Sequence, residues 1–343
     1  MHVEVHNEAP FGWDSYVTEH PHATTYHRAS VAGIGAKAFG LRAAYVTAYD
    51  SGKTIAGVLP LIEQSSVLFG RSFVSLPFVT YGGVLADSAT VAAALVDRAA
   101  VEAVSRNARH IELRHTVPLP ELSLNERLDM VSMALKLPNS ESELSKQLGA
   151  KLRSQIRRGE RENIELRWGG AECIPEFYRV FAPAMHAHGT PIYPCRFFHV
   201  AYDALRDFSS ILVVKMRGRV HAAAFLVRHP KSIEVPWAVA TAEAKHLSVN
   251  MRMYWEMLCY AVSIGVETFD FGRTRIDHGT YRFKEQWGAK RVQLYWQYVL
   301  QPGVSLPAIN RANPKYAYAA AMWKRMPLWC ARLLGARITR SLP

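Results

Sequence analysis

A short stretch near the end of the chain, FDFGRTRIDHGTYRFKEQWGAK at residues 269–290, carries the densest set of side chains that could do chemistry. An acid lies at the end of a predicted strand, and Gly279-Thr280 could start the following helix. Cationic groups and free backbone N–H groups would then converge near a helix amino terminus, where anions bind. We interpret the stretch as an anion site at a sheet edge. Its candidate residues are Asp270, Arg273, Arg275, Lys284 and Trp287.

A structural role is the alternative for these residues. Asp270 could cap the turn that follows the strand, and Trp287 could belong to the hydrophobic core. The sequence leaves both interpretations open.

A second cationic feature lies in KLRSQIRRGERENI at residues 151–164. On a helix, Arg153, Arg157 and Arg161 follow one another at i, i+4 and i+8 and form one stripe. A solvated helix face is one interpretation. A phosphate-binding face is the other, because guanidinium groups match phosphate oxygens in a bidentate way.

Other spacings in the chain disfavour several classes of enzyme. The sequence has no Ser-His-Asp motif, nucleophile elbow, HExxH or paired-glycine dinucleotide fingerprint, which argues against hydrolases and oxidoreductases. His186 and His188 form an HxH pair, but this spacing on a helix points the two rings to different faces. We therefore expect no metal and no cofactor. The cysteines lie far apart without CxxC spacing, which predicts no disulfide framework, at Cys173, Cys195, Cys259 and Cys330.

The elements that position these residues follow from the apolar periodicity. A hairpin is predicted at 42–63, with its turn at residues 50–53, and an Ala-rich helix at about 88–107. Near Pro138 the sequence pattern changes. Asn139 or Ser140 could cap a long charged helix that continues to about Glu162. The other strands are predicted at about 67–76, 110–115, 129–136, 164–168, 211–217, 220–228, 232–239, 267–271 and 292–298. The other helices are predicted at about 173–188, 195–207, 248–264 and 281–287.

These elements predict a mixed α/β (α+β) protein whose sheets are largely antiparallel and flanked by helices. At 343 residues with 49% apolar content, the chain can bury two hydrophobic cores. We place the domain boundaries at the change of character near residue 138 and at the start of the basic tail. The predicted segments are 1–137, 138–302 and 303–343.

The formal net charge of +12 favours an anionic partner, such as a nucleic acid, a phosphorylated metabolite or an acidic lipid surface. The amino terminus lacks a basic start and an apolar core, and no apolar run is long enough to span a membrane. We therefore expect a cytoplasmic protein. The sequence does not indicate an oligomeric state.

The tail, NPKYAYAAAMWKRMPLWCARLLGARITRSLP, mixes aromatic and cationic residues. Asn313 before Pro314 is a favourable helix start, and Pro327 should split the region into two short helices. These helices could pack on the preceding sheet. Alternatively, they could form a basic amphipathic surface that lies on anionic lipid headgroups at the inner face of the cytoplasmic membrane.

Several of these segments together resemble the FemAB family. They are KLRSQIRRGERENIELRW, HGTPIYPCRFF at 188–198, FDFGR and TYRFKEQWGAK, and the resemblance covers residues 138–340, with a looser likeness at 40–137. HGTP and the tail are most similar to the FemAB-like proteins that accompany exosortase and exopolysaccharide systems. After FDFGR, the family's Ser-Lys and short glycine turn are replaced by TRIDHG, where only the cation Arg275 is kept, and we expect substrate preference to lie there.

The resemblance implies tandem acetyltransferase-like (GNAT) domains. It also implies transfer of an amino acid from aminoacyl-tRNA, or of a related acyl group, to an amine of a cell-wall or exopolysaccharide precursor. Ordinary GNAT enzymes bind the CoA pyrophosphate on a glycine-rich strand-to-helix turn, whereas the matching stretch AVATAEAKHLSVNMRMYW contains no glycine. This absence favours an aminoacyl ester over acetyl-CoA as the donor. The positive net charge also suits a tRNA or a diphosphate-linked, anionic sugar or peptide precursor.

With this resemblance we expect Lys284 to stabilise developing charge or anchor a phosphate, and Asp270 to orient the substrate or accept a proton. The expected phosphate-binding residues are Arg153, Arg157, Arg273 and Arg275, and the expected groove-lining residues are Tyr81, Tyr193, Trp237 and Trp287. Two alternatives stay open. One is a binding module for an anionic precursor or a membrane surface, without chemistry. The other is an acyl-CoA-dependent N-acyltransferase.

Overall fold

The computed structural model describes residues 1–66, 70–276, 278–307 and 314–341, the last range without the side chains of residues 314–317. The strands that these residues form are β1 (His2–His6), β2 (Arg42–Tyr49), β3 (Ile55–Ser66), β4 (Gly70–Val74), β5 (Leu85–Ala86), β6 (His110–His115), β7 (Asn125–Arg127), β8 (Met130–Lys136), β9 (Ile164–Gly169), β10 (Ser209–Met216), β11 (Arg219–Arg228), β12 (Ser232–Ala240), β13 (Thr268–Arg275), β14 (Lys290–Gln293) and β15 (Tyr295–Leu300).

The helices in the same part of the chain are α1 (Trp13–Glu19), α2 (Ala29–Phe39), α3 (Ala89–Ser105), α4 (Glu141–Gln147), α5 (Ala150–Glu160), α6 (Ile174–His188), α7 (Cys195–Ala204), α8 (Ala242–His246), α9 (Val249–Ser263), α10 (Gly279–Glu285), α11 (Pro314–Arg325) and α12 (Leu328–Thr339). The predicted mixed α/β class is confirmed: two mixed sheets are flanked by helices.

The chain divides into two units. The first comprises Met1–Met130, Gln293–Arg311 and Arg337–Pro343, and the second comprises Val131–Val292 and Ala312–Ala336. The sequence analysis instead expected consecutive segments with a boundary near residue 138. The difference arises because β8 joins the sheet of the second unit, whereas the late strand β15 returns to the sheet of the first.

The sheet of the first unit has the strand order β1-β2-β3-β4-β6-β15-β7, with β5 on β3. The predicted hairpin is present here, because β2 and β3 pair antiparallel. Asp50 stabilises its turn by accepting a hydrogen bond from the Thr54 amide at 2.8 Å. The predicted Ala-rich helix is α3, and the Ser88 hydroxyl caps it by accepting from the Val91 amide.

Side chains in the middle of β15 explain why this strand lies in the first unit. The Tyr298 hydroxyl donates to Glu112 on β6 at 2.9 Å, inside the sheet. The guanidinium of buried Arg114 lies over the Trp296 ring, 4.3 Å from its centre, and its Nε donates to Glu112 at 2.8 Å. Glu112 and Arg114 of β6 are buried charges, which are costly without polar or aromatic partners. Tyr298 and Trp296 of β15 supply such partners.

The sheet of the second unit has the order β14-β8-β13-β12-β11-β10-β9. Strands β9 to β12 pair antiparallel in succession, whereas β12 and β13 are parallel. The connection between these parallel strands contains α8 and α9. An apolar cluster that includes Leu226 of β11, Met257 of α9 and Phe269 of β13 forms the core.

The predicted long helix at 140–162 is interrupted. Leu148 takes an extended conformation and is buried, so α4 ends there and α5 begins after Gly149. The guanidinium of Arg153 donates to the carbonyl oxygens of Leu148 and of Ser145, the latter at 3.4 Å. Arg153 therefore caps the free carbonyl end of α4.

Helix α5 crosses α9 at a glycine. An added Cβ on Gly159 would stand 2.5 Å from the carbonyl oxygen of Ser248, the residue that precedes α9. Because this oxygen belongs to the backbone, a larger residue at position 159 would fit only if the backbone between α8 and α9 shifted. Gly159 therefore fixes the close packing of α5 on the start of α9.

The tail forms two helices, α11 and α12, as expected from Pro327 between them. His186 on α6 bonds through Nε2 to the carbonyl oxygen of Trp323 at 2.9 Å, and the buried Trp323 ring packs inward. The predicted helix start at Asn313 lies outside the described residues.

We expect Gly159→Ala to lower the stability of the protein. The overlap with the Ser248 carbonyl should cost about 1–3 kcal/mol, more than the roughly 1 kcal/mol gained from the higher helix propensity of alanine. Thermal melting followed by calorimetry measures the change. The control is Gly149→Ala, where an added Cβ meets nothing within 4 Å. Equal or higher stability of the Gly159 variant would contradict the close packing.

Candidate active site

The candidate site lies where two parallel strands of the second unit stop pairing. The ladder between β12 and β13 consists of Ser232 with Thr268, Ile233 with Phe269 and Glu234 with Asp270. Both strands continue past the last pair, β12 to Ala240 and β13 to Arg275. A parallel sheet that opens in this way leaves backbone groups and side chains of both strands facing a shared gap.

Gly272 shapes this opening. Its φ of 76° lies in the left-handed region, which residues with a Cβ rarely adopt. An added Cβ would stand 2.9 Å from the carbonyl oxygen of Val235 on β12. Glycine therefore allows β13 to bend while it remains close to β12.

Asp270 is held rigidly just before this bend. Its Oδ1 accepts hydrogen bonds from the Gly272 amide at 2.8 Å and from the hydroxyl of Ser132 on β8. Only 8% of Asp270 is exposed. The bond to Gly272 agrees with the expectation that this acid caps the turn, but its burial and its neighbours give it more than a capping role.

Lys284 projects from α10 into the same place and is 7% exposed. Its ammonium donates to the carbonyl oxygens of Gly272 at 2.7 Å and of Arg273 at 3.0 Å. The side chain thus joins α10 to the bent part of β13. A hydroxyl contact between Thr274 and Thr280 at 2.6 Å makes a second link between the same elements.

A second buried acid lies beside Asp270. Glu234, its ladder partner on β12, is 0% exposed, and its carboxylate lies 3.6 Å from the Nε2 atom of His229. Two carboxylates and one ammonium therefore share a small, water-poor region. Each charge influences the others strongly because little solvent screens them.

Burial and these neighbours shift both central pKa values. Loss of solvent raises the pKa of Asp270 well above its ordinary value, and the charge of Glu234 raises it further. The hydrogen bonds from Ser132 and Gly272 and the charge of Lys284 oppose this rise. Burial lowers the pKa of Lys284, and the two acids partly offset that effect. The pKa values of the acid and the base thus move toward each other.

Each of these two groups can therefore gain or lose a proton near neutral pH, and the charge of each affects the pKa of the other. A carboxylate whose pKa is raised toward the working pH is a better proton acceptor than an exposed one. A fixed ammonium can stabilise an oxyanion by electrostatics and hydrogen bonding. The arrangement therefore suits a reaction that removes a proton from a nucleophile while negative charge develops on an oxygen.

The predicted arginines are placed differently from one another. Arg273 and Arg275, on the last part of β13, are half-buried, and the charge of Arg273 contributes to the lowered pKa of Lys284. Arg157 is exposed on α5, whereas Arg153 caps α4 as described above. The predicted stripe of three arginines is therefore divided between one capping residue, Arg153, and two exposed residues, Arg157 and Arg161. Asp277, in the TRIDHG loop, lies outside the described residues.

Two predicted aromatic residues belong to one cluster. Trp237 on β12 makes edge contacts with Phe198 at 5.4 Å and Phe225 at 5.3 Å between ring centres. Tyr193 stacks on Phe197 at 4.5 Å. Both are half-buried, so each presents part of its ring at the surface of this cluster.

The other two predicted aromatic residues are packing residues. Trp287 is 2% exposed and packs near Tyr254 and Phe271, in the core of the second unit. Its placement as a groove-lining residue is therefore corrected, because little of the ring can reach a ligand. Tyr81 belongs to the first unit, where it is buried and contacts the Tyr26 ring at 5.5 Å.

Glu234, His229 and Ser132 were not among the residues predicted from the sequence. Glu234 gave a usable signal, since it is a single acid between Ile233 and Val235 in an apolar strand. Ser132 gave none, because its relation to Asp270 depends on the pairing of strands that are far apart in sequence.

Comparisons with known proteins agree with this fold. Residues 147–285 match the family model described as acetyltransferase (GNAT) domain, a range that contains Glu234, Asp270 and Lys284. A comparison with curated proteins found no match. Among solved structures, FemX is similar with a TM-score of 0.69 at 16% identity, covering 87% of this chain and 98% of FemX.

Two further structures share the architecture. L-PGS from Bacillus licheniformis has a TM-score of 0.57 at 13% identity, covering 93% of this chain and 98% of that chain. A tandem GNAT protein from the clavulanic acid biosynthesis pathway has a TM-score of 0.55 at 11% identity, covering 89% and 100%. The chain has a tandem GNAT fold, and the match to the acetyltransferase (GNAT) domain supports an acyltransferase. This fold implies an acyl donor such as acyl-CoA or aminoacyl-tRNA.

We expect the raised pKa of Asp270 to appear as a pH dependence of stability. The folded protein holds this proton more tightly than the unfolded chain, so protonation stabilises the fold. The stability of the wild type relative to Asp270→Asn should rise as the pH falls from 7 to 4, by up to about 1.4 kcal/mol per pH unit. Chemical denaturation at a series of pH values measures this difference.

The control for this experiment is Glu285→Gln, which changes an exposed acid on α10. Its stability should follow that of the wild type across the same pH range. Parallel curves for the wild type and Asp270→Asn would show that the burial of Asp270 does not perturb its pKa.

Proposed function

We propose that the protein is a FemAB-like acyltransferase that transfers an aminoacyl or related acyl group to an amine of a cell-wall or exopolysaccharide precursor. The observation that carries this proposal is that Asp270 and Lys284 are both buried and both bond to the backbone of Gly272, where β13 bends away from its pairing with β12. Amide formation from an ester requires a group that accepts the proton of the amine and a group that stabilises the oxyanion. A carboxylate with a raised pKa suits the first requirement, and an ammonium suits the second.

The proposed reaction begins when the neutral amine of the acceptor attacks the ester carbonyl carbon of the donor. A C–N bond forms and the carbonyl electron pair moves to oxygen, giving a tetrahedral oxyanion. Asp270 accepts the proton that the nitrogen loses. The oxyanion then collapses and the ester C–O bond breaks. Protonated Asp270 returns the proton to the leaving alkoxide, which becomes an alcohol, and the carboxylate is restored.

Lys284 suits the role of oxyanion stabiliser in this reaction. An ammonium has three N–H donors, and the described bonds to Gly272 and Arg273 use two of them. Two fixed bonds set the direction of the third donor. A preorganised donor of this kind stabilises a transition state without a cost of reorganisation during the reaction.

The turn before α9 supports an aminoacyl ester as donor. Residues 238–250 contain no glycine, and α8 is inserted between β12 and α9. Ser248, directly before α9, is 6% exposed and packs against Gly159. Close approach of a pyrophosphate to a backbone turn is easiest at glycine, so this turn is a poor CoA site.

The cationic side chains suit the remaining parts of the proposed substrates. Arg273 and Arg275 follow Asp270 on β13 and are half-buried, and guanidinium groups bind phosphate oxygens through paired hydrogen bonds. We propose that they bind phosphates of the donor or of an anionic sugar or peptide precursor. Arg157, exposed on α5, is proposed to contribute to the same charge complementarity. Tyr193 and Trp237 are proposed to contact the substrate through the exposed parts of their rings.

A direct assay tests this function. Purified protein is incubated with labelled aminoacyl-tRNA or labelled acyl-CoA and with amino-sugar or nucleotide-linked peptide acceptors, and the label is followed into product. We expect product from aminoacyl-tRNA. Product from acyl-CoA alone would replace the donor proposed here, and tight acceptor binding without product from either donor would indicate a binding module.

In the same assay, Lys284→Met should reduce transfer by about a hundredfold or more, as expected for loss of an oxyanion donor. The matched control is Lys290→Met, which changes an exposed lysine of the second unit and should leave transfer unchanged. Melting curves distinguish lost chemistry from lost folding. Full activity of a folded Lys284 variant would contradict its assigned role.

A further inference from the structure

The two tail helices expose large apolar side chains. On α11, Tyr318 is 69% and Met322 is 47% exposed, one helical turn apart. On α12, Trp329 is 65% and Leu333 is 67% exposed, again one turn apart. Spacing of four residues places each pair on one face of its helix. Such pairs on both helices, rather than single exposed side chains, are typical of an interaction surface.

The opposite faces hold these helices in place. Ala331 and Gly335, also four residues apart, are buried on α12, and an added Cβ on Gly335 would lie 2.5 Å from the carbonyl oxygen of Ile192. On α11, the buried Trp323 provides the contact to α6. Since packing accounts for the small and inward residues, the large outward residues of this segment have no explanation from the fold.

The charge of this region has one sign. No Asp or Glu follows Glu285 in the sequence. Lys324 and Arg325 at the end of α11 are exposed, as is Arg332 on α12, whose guanidinium lies 5.4 Å from the centre of the Tyr178 ring. Most exposed basic residues on globular surfaces are mixed with acids, so a purely cationic and apolar surface fits an anionic partner that also offers an apolar phase.

We propose that the exposed faces of α11 and α12, with Tyr318, Met322, Trp329, Leu333 and the cations of the same helices, bind an anionic phospholipid bilayer. Indole and phenol rings favour the headgroup region, aliphatic side chains enter the acyl boundary, and Lys and Arg are attracted to acidic headgroups. In the described part of the chain no helix is long and apolar enough to cross a membrane. Binding is therefore peripheral, with α11 and α12 lying at the membrane surface.

Apolar exposure distinguishes this partner from RNA. A basic surface for RNA needs phosphate contacts and stacking rings, but Leu333 and Met322 gain nothing from solvated phosphates. A bilayer accounts for the apolar and the cationic side chains together. This inference concerns location, and it holds or fails independently of the transfer reaction proposed above.

Vesicle flotation of the full-length protein tests the proposal. The probes are vesicles of phosphatidylcholine alone and of phosphatidylcholine with phosphatidylglycerol. We expect binding to the anionic vesicles, weaker binding at high salt, and at least about a tenfold lower partition coefficient for Trp329→Ser/Leu333→Ser. Lys324→Glu/Arg325→Glu should lose binding to a similar degree, because each cation near an acidic surface contributes about 1 kcal/mol, or roughly fivefold.

The matched control is Phe11→Ser/Val104→Ser, which removes apolar side chains that are 104% and 58% exposed in the first unit. This variant should float as the wild type does. Absence of flotation, or equal flotation of all variants, would overturn the proposal. If the protein did not bind vesicles but bound a tRNA pool through Trp329 and Leu333, the partner would be RNA. If it instead formed a dimer through these residues, the partner would be a second copy of the chain, and either result would overturn the proposal.

Discussion

Placing two carboxylates side by side inside a protein is unfavourable, and the second unit is organised around the groups that offset this cost at Asp270 and Glu234. Parallel pairing of β12 and β13 brings the two acids together, and Ser132, the Gly272 amide and Lys284 compensate for the lost water. The local geometry depends on this compensation. Lys284 is available only because α10 follows β13, and Gly272 is required because its amide must turn back toward Asp270.

The hydrogen bonds that compensate these buried charges also fix their positions. An ammonium bonded to backbone carbonyls and a carboxylate bonded to a hydroxyl and an amide are fixed before any substrate arrives. Preorganised charges of this kind are effective in catalysis because they do not have to reorient during the reaction. They also destabilise the fold locally, which explains why such groups are concentrated at a site rather than spread through the core.

Local sequence patterns predicted much of the fold. The alternating residues and the Asp50 turn predicted the β2–β3 hairpin, Ser88 predicted the start of α3, and Pro327 predicted the break in the tail. The break at Leu148 was not predictable from helical periodicity, because a buried leucine at that position fits a continuous helix equally well. The return of β15 to the first unit depends on partners on β6, and no local pattern contains that information.

The candidate site shows the same limit. Asp270 and Lys284 were identified because they lie in one short segment, whereas Ser132 and Glu234 come from other strands and became visible only through the sheet. Trp287 was misplaced because a tryptophan beside charged residues looks the same in sequence whether its ring faces a groove or the core. Contacts within a segment could be read from the residues, and contacts between segments required the topology.

The central claim is that Asp270 accepts the proton of the attacking amine. The pH dependence of single-turnover transfer for the wild type and Asp270→Asn tests it most directly. The account predicts a wild-type rate that rises with pH through the raised pKa of Asp270 and then levels off, and an Asn variant that is about a hundredfold slower without this rise. An Asn variant with the wild-type rate and the wild-type pH profile would contradict the account.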